Sequence, residues 1–452
     1  MFQPIESIMR SLLILGLAAM QMAAGLGEQN LAPASTASAD APNAAALTIT
    51  LQDALERAKT TNPQLQSAII SAQLAREDRI QAKAGLLPSV NYFNQYIYTQ
   101  GNGTPSGMFV ANDGVHIYNS QGVVHGDIFA PGRIADYRRT IAAEALARAT
   151  ADIAARGLVV TVVQNYYGLV SAQRKNAYAQ QSLREAQQFL DITQKQERGG
   201  EAAHSDVVKA QIQVEQRQRD AQDARLAMDK SRIGLSVLIF PDYRQDFSVA
   251  DDLDTRPGVP PFEEVQNLAA KNSPEIRAAQ AAVEQERYGI RAARSAFLPS
   301  LSFDYWYGID ANQVAIFNQD HQRNLGSSAQ ASLTIPVWNW GANRSRLRQA
   351  ELRLEQANVN LTFTQRQLLA NLNSFYMEAQ AADAQVASLA HSADLASESL
   401  RLTLLRYRAG EVTVLEVVDA QSTLVQARNA HTDGLVRYRV ALAELQTLTG
   451  RF

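Results

Sequence analysis

The chain has 452 residues, 46% of them hydrophobic, with a formal net charge of −3 and no cysteine. The near-neutral balance gives no electrostatic footprint for nucleic acid. The missing cysteines exclude disulfides, thiolate metal sites, a cysteine nucleophile and lipid attachment at an N-terminal cysteine. The six histidines, at positions 116, 125, 204, 321, 391 and 431, form no metal-ligating pair at helical spacing.

The first segment reads as a secretory signal over residues 1–25. Arg10 precedes an apolar run from Leu12 to Met20, and the small residues Ala23, Ala24 and Gly25 come after it. Met9 offers an alternative start to Met1. The run is shorter than the ~20 apolar residues needed to span a bilayer. Residues 26–46 are rich in Ala, Ser, Pro and Asn and read as a flexible lead-in.

Asn62-Pro63 then opens a helix of about 25 residues that ends before Pro88, with Asn62 suited to the N-cap and Pro63 to the first helical position. From Ser89 the period of the pattern changes to two. Val90, Tyr92, Tyr96 and Tyr98 alternate with Ser89, Asn91, Gln95 and Thr99, which predicts a strand near 89–99. A weaker return strand is predicted near 117–130, stopped by Pro131. The next stretch runs from Gly132 to Arg198 without proline and predicts one uninterrupted helix. At 1.5 Å per residue it would be roughly 100 Å long, whereas a globular helix averages about 12 residues. A turn at Arg198-Gly199-Gly200-Glu201 leads into a helix over 202–239.

The same order then returns. Ser273-Pro274 repeats Asn62-Pro63, and Leu298-Pro299-Ser300-Leu301 repeats Leu87-Pro88-Ser89-Val90. Leu301, Phe303, Tyr305, Tyr307 and Ile309 alternate with Ser300, Ser302, Asp304, Trp306, Gly308 and Asp310. A return strand near 327–336 sets Ala329, Ala331, Leu333 and Ile335 against Ser328, Gln330, Ser332 and Thr334. A proline-free helix over 341–408 meets a second tip, Arg408-Ala409-Gly410-Glu411, and leads to a helix over 412–448. Asp206-Val207-Val208 is echoed by Glu416-Val417-Val418, and Ala210-Gln211 by Ala420-Gln421. The chain therefore divides into two tandem repeats, 47–261 and 262–452.

Strands of about ten residues with one greasy and one polar face suit an outer-membrane barrel. One chain supplies four of them. Four strands cannot close, and lipid tolerates no open sheet edge. Two chains would give a barrel filled by its own side chains, and three would give about twelve strands with room for a bore and closed cyclic symmetry. The fold class expected is mainly α with a membrane β-barrel portion: a long coiled-coil α-helical barrel continuous with a trimeric barrel.

With these features the chain resembles the TolC-like outer-membrane efflux channel family over about residues 47–450. The most specific pieces are Leu298-Pro299-Ser300-Leu301, Tyr407-Arg408-Ala409-Gly410-Glu411 and Glu416-Val417-Val418-Asp419-Ala420. The resemblance implies a homotrimer in the outer membrane with a periplasmic tube, docked on a periplasmic adaptor and an inner-membrane pump. Substrate passes without chemistry, and no cofactor or metal is implied.

By position, the family's periplasmic gate falls on Glu416 and Asp419 as acidic rings and on Tyr407 as the gate-tip tyrosine. Gly199, Gly200 and Gly410 mark the hairpin tips that would dock the adaptor. Each residue has a plainer reading. Thr413-x-x-Glu416 is a capping box that starts a helix, and Tyr407 suits simple packing at the tip. Where the family pattern can carry an arginine after the tip, this chain has Val412; Arg406 and Arg408 are nearby. In the first repeat Lys209 stands where Asp419 stands in the second.

Two rival readings remain: a type I protein-secretion duct, and a periplasmic coiled-coil adaptor. An enzyme is not expected, because no phosphate loop, nucleophile elbow or metal-ligand spacing occurs, and Gly101-Asn102-Gly103 lies between strands.

Overall fold

The computed structural model describes residues 47–98, 116–311, 313–319 and 321–450. The secretory segment and lead-in expected before residue 47, and Gly101-Asn102-Gly103, lie outside the described residues.

The described residues open with a short strand β1 (Leu47–Ile49), followed by helices α1 (Leu51–Thr61) and α2 (Pro63–Ala84). Strands β2 (Ser89–Tyr98) and β3 (His116–Phe129) lead into a 68-residue helix α3 (Pro131–Arg198) and its return partner α4 (His204–Ile239). A short β4 (Phe247–Val249) separates the halves. The same succession then recurs: α5 (Phe262–Asn272), α6 (Pro274–Ser295), β5 (Ser300–Ala311), β6 (Leu325–Thr334), the 67-residue α7 (Ala342–Arg408), and α8 (Val414–Thr449).

Local chemistry sets these boundaries. Thr50 accepts from Asp53 N–H while Asp53 accepts from Thr50 N–H, a reciprocal cap that starts α1. Asn62 and Ser273 cap the proline-led helices by accepting from Leu65 N–H (2.9 Å) and Ile276 N–H (3.2 Å). The caps that end α1 and α5 are the same residues that begin α2 and α6, so each pair is one helix broken at a proline.

Both long helices close in the same turn. Gly200 N–H donates to Glu197 O and Glu201 N–H to Gln196 O; Gly410 N–H donates to Tyr407 O and Glu411 N–H to Arg406 O. This paired pattern is a Schellman motif, which needs a left-handed residue after the helix. Gly200 (φ +80°) and Gly410 (φ +77°) supply it. Gly199 does not: it is right-handed (φ −79°), like Ala409 (φ −81°) at the matching place.

The core sits midway along α3, around Val162, Val163, Tyr166, Tyr167 and Val170. There β1 and β4 pair in parallel, Leu47 with Phe247 through Ile49 with Val249. The Tyr166 hydroxyl donates to Ala250 O (2.7 Å) and lies 3.2 Å from Ile49 O, so one phenol holds both strand ends. Burial raises this phenol's pKa to about 12. Arg174 clamps the chain just beyond β4 through Asp251 (2.6 and 2.8 Å) and Asp254 (2.7 and 3.0 Å). That contact holds the Asp254 carboxyl below its usual range. The helix pair α2–α3 is tied by Glu144, buried between Arg79 (2.5 Å) and Arg148.

No helix among the described residues is long and apolar enough to cross a membrane.

Candidate functional site

Strands β2, β3, β5 and β6 form one antiparallel sheet in that order. The two hairpins are thus joined across the repeat boundary by the β3–β5 pair, which runs from Tyr118 opposite Ala311 to Phe129 opposite Leu301. Directly opposed residues share a face, so the registers sort the side chains. One face gathers Val90, Tyr92, Val124, Tyr305, Ile309 and Leu333. The other gathers Asn91, Gln95, Gln121, Asp304, Ser328 and Gln330. The greasy face is uncovered: Val90 is 75% and Tyr92 71% exposed.

The polar face is the hollow one. A cavity of about 510 Å³ opens on it, lined by Asn119, Gln121, Asp310 and Gln330 together with Phe93 and Trp306. The sheet therefore curls toward its polar side. His125 and Asp304 face each other there at 2.6 Å, and Asp127 pairs with Arg133 at 2.7 Å below them. Among the described residues the outer strands β2 and β6 each have one neighbour, so the described sheet has two open edges.

The second site lies at the opposite end of the long helices. Four helices meet in a small apolar cluster of Phe189 (α3), Ala210 (α4), Tyr407 (α7), and Val414 and Val417 (α8), with Val412 from the turn. Tyr407 is buried in it. Its ring packs 4.9 Å from that of Phe189, and its hydroxyl lies 3.2 Å from Thr193 Oγ1, which is fully buried. Tyr407 thus joins the second hairpin to the first.

Glu416 and Asp419 lie elsewhere, one turn apart on the exposed face of α8. Glu416 accepts from Thr413 N–H at 3.3 Å and from its hydroxyl at 3.4 Å, so it caps its own helix. Asp419 has no such local bond. Val412 is buried in the tip cluster. Arg406 pairs locally with Glu411 at 3.6 Å, and Arg408 is exposed. In the first repeat Lys209 neutralises Asp206 at 3.1 Å. The structure therefore places the two acids on one surface and Tyr407 inside. Sequence reasoning passed over Phe189 and Thr193, whose one signal is an aromatic in a glutamine-rich helical stretch. Among the described residues no cluster of His, Asp and Glu is arranged to hold a metal.

The family model for outer membrane efflux proteins matches the chain twice, over residues 54–239 and 265–451. The chain belongs to the outer membrane efflux protein family. Among its relatives are the alkaline protease secretion protein AprF of Pseudomonas aeruginosa, 24% identical, with 90% of this chain and 85% of that protein covered. The outer membrane protein TolC of Vibrio cholerae is 22% identical, with 88% of this chain and 90% of that protein covered. Among solved structures, the Campylobacter jejuni CmeC outer membrane channel superposes with a TM-score of 0.79 at 16% identity, covering 94% of both chains. An outer membrane efflux protein of this fold resides in the outer membrane and reaches into the periplasm. The family is one of channels, and its place is in efflux and secretion systems.

Proposed function

We propose that three copies of this chain close their sheets into one barrel of about twelve strands, and that the barrel opens into a helical tube serving as the exit duct of a tripartite efflux system. The observation that carries this reading is the sheet: greasy outside, polar in its hollow, and open at both edges. Unpaired backbone facing lipid costs several kcal/mol per group, so each edge requires another strand, and closed cyclic symmetry supplies it. A periplasmic adaptor has no use for such a sheet. The duct binds a periplasmic adaptor at its hairpin tips, where Gly199, Gly200 and Gly410 lie, and the adaptor couples it to an inner-membrane pump. Cargo moves through by diffusion, without a chemical step.

At the periplasmic end, Glu416 and Asp419 of three chains form the gate's acidic surface, and Tyr407 is its tie to the first hairpin. Crowded carboxylates around a narrow bore draw cations and repel anions. The test is single-channel recording in planar bilayers. The double variant Glu416→Ala/Asp419→Ala should lose cation preference and change conductance; wild-type conductance would retire the gate assignment. Heat-modifiable trimers in outer-membrane fractions test the assembly, and a monomer that stays in the soluble fraction would refute it.

A second reading has its own support. AprF and the protease secretion protein PrtF of Dickeya chrysanthemi, 22% identical, are named for protein export. Under this reading the same duct serves a type I protein-secretion pump. Expression in a duct-deficient host separates the two readings: restored drug resistance favours efflux, and restored protease secretion favours the alternative.

A further inference from the structure

We propose that β6 does not stop at Thr334 in the assembled protein. Residues Ile335–Trp338 continue the strand and pair with β2 of the neighbouring copy, in the register that β3 and β5 use inside the chain. The proposal rests on the trimer reading above and specifies its subunit seam.

At the helix end of the sheet, β2 and β3 begin with Ser89 opposite His125, and β5 and β6 with Ser300 opposite Thr334. His125 and Thr334 thus hold matching places in the two repeats. β3 runs past its place: Gly126, Asp127 and Phe129 go on to pair with Phe303, Ser302 and Leu301 of β5, through a bulge between Asp127 and Phe129. β6 does not. Beyond Thr334 the chain reads Ile335-Pro336-Val337-Trp338-Asn339-Trp340, and this segment is uncovered: Val337 is 87%, Trp338 75% and Trp340 90% exposed. The difference has a simple physical source. The extension of β3 has β5 beside it, whereas β6 is an open edge. The other open edge, β2, is the strand a neighbouring copy brings to it.

Carrying the β3–β5 register across the repeat fixes the seam. Ile335 falls opposite Tyr92 of the next copy, Pro336 opposite Asn91 and Trp338 opposite Val90. Further along, Ser332 falls opposite Gln95 and Ala331 opposite Tyr96. Three features agree with this placement. Greasy residues meet on the greasy face at Ile335–Tyr92 and Trp338–Val90, and polar Ser332 and Gln95 meet on the polar face; a slip of one residue would invert every pair. Pro336, which has no N–H to donate, takes the place of Asp127 at the bulge, where the ladder is already interrupted. Trp338 lands on the lipid side at the helix end of the barrel, where outer-membrane barrels carry an aromatic girdle.

The native chain has no cysteine, so paired cysteines report the seam directly. Gln95→Cys/Ser332→Cys and Val90→Cys/Trp338→Cys variants are assembled in membranes and treated with a short thiol crosslinker. Directly opposed Cβ atoms are about 5 Å apart and diagonal ones about 7 Å. Both in-register pairs should give covalent multimers on denaturing gels. The offset pairs Gln95→Cys/Gln330→Cys and Gln95→Cys/Thr334→Cys should give several-fold less. A stronger product from an offset pair overturns the register. Crosslinking at Gln95/Ser332 without Val90/Trp338 overturns the strand extension. Trimers on native gels with no crosslink from any pair overturn the seam but leave the trimer standing, whereas failure to find trimers overturns both.

Discussion

The two hairpin tips share a backbone and differ in what they hold. Both end a helix of nearly 70 residues in a Schellman turn with glycine at positive φ, and both return through a 36-residue helix. At the place where the second tip has Tyr407, the first has Glu197. Tyr407 turns inward onto Phe189 and Thr193, while Glu197 reaches across its own turn to His204 at 2.7 Å. His204 in turn stands where the second tip has Val414, which is buried. The first tip thus carries exposed ion pairs, with Lys195–Asp191 and Lys209–Asp206 each formed within one helix. The second is closed by apolar packing and leaves Asp419 exposed. Exposed ion pairs stabilise little, whereas a buried aromatic contributes several kcal/mol. The second tip is therefore anchored on the first hairpin through Tyr407, whereas Glu197 pairs within its own hairpin.

The largest effect is expected at that anchor. Tyr407→Ala removes a buried ring and should cost about 3 kcal/mol locally. It should raise both protease cleavage near Gly410 and conductance in planar bilayers, while Glu197→Ala at the matching position changes neither. Tyr407→Phe keeps the ring and gives up only the contact with Thr193, worth about 1 kcal/mol; it should fall between wild type and alanine. Equal effects of Tyr407→Ala and Glu197→Ala would erase the distinction between the tips.

Next comes the turn. An added Cβ at Gly410 meets nothing within 4 Å, so the cost of Gly410→Val is that of the left-handed backbone, about 1–2 kcal/mol. That variant should export poorly with its adaptor, whereas Gly199→Ala should behave as wild type. Normal export by Gly410→Val would remove tip geometry from the docking account.

How much of this was legible depended on the range of the interaction. The strands declared themselves by alternation, as at Leu301 to Ile309, and by the prolines beside them; the long helices did so by lacking proline. The Thr413–Glu416 cap was readable because its partners are three residues apart. The partners of Tyr407 lie more than 200 residues away, and no local pattern announces them. The same holds at mid-body, where three-residue strands such as β1 are too short to show a period and are held by Tyr166 from a distant helix. The helices α1 and α5 also went unread, since each is 11 residues long and buries only two or so small side chains. Glycine was legible as a tip marker but not resolved to one residue, because Gly199 and Gly200 are adjacent and only the backbone angle tells them apart.

The two acids of the second tip allow a finer cut. Glu416→Ala removes a helix cap and should cost about 1 kcal/mol; Asp419→Ala should cost nothing measurable, because Asp419 lies beyond the first turn. If both serve the gate, they shift cation preference alike although only one lowers thermal stability. A loss of stability without a shift in selectivity for Glu416→Ala would leave that residue as a cap alone and Asp419 as the gate's acid.

The smallest effect belongs to the first tip and is the cleanest control. Lys209→Ala releases Asp206 from its ion pair and gives this tip an uncompensated carboxylate where the second tip has Glu416. The pair is exposed, so stability should move by less than about 0.5 kcal/mol. If charge alone made a gate, the variant would gain cation preference in single-channel recordings. It should not, because the packing that ties the second hairpin to the first, through Tyr407 and Val412, has no counterpart at Glu197. A cation preference gained in Lys209→Ala would mean that both tips face the bore, and the division of labour between them would have to be given up.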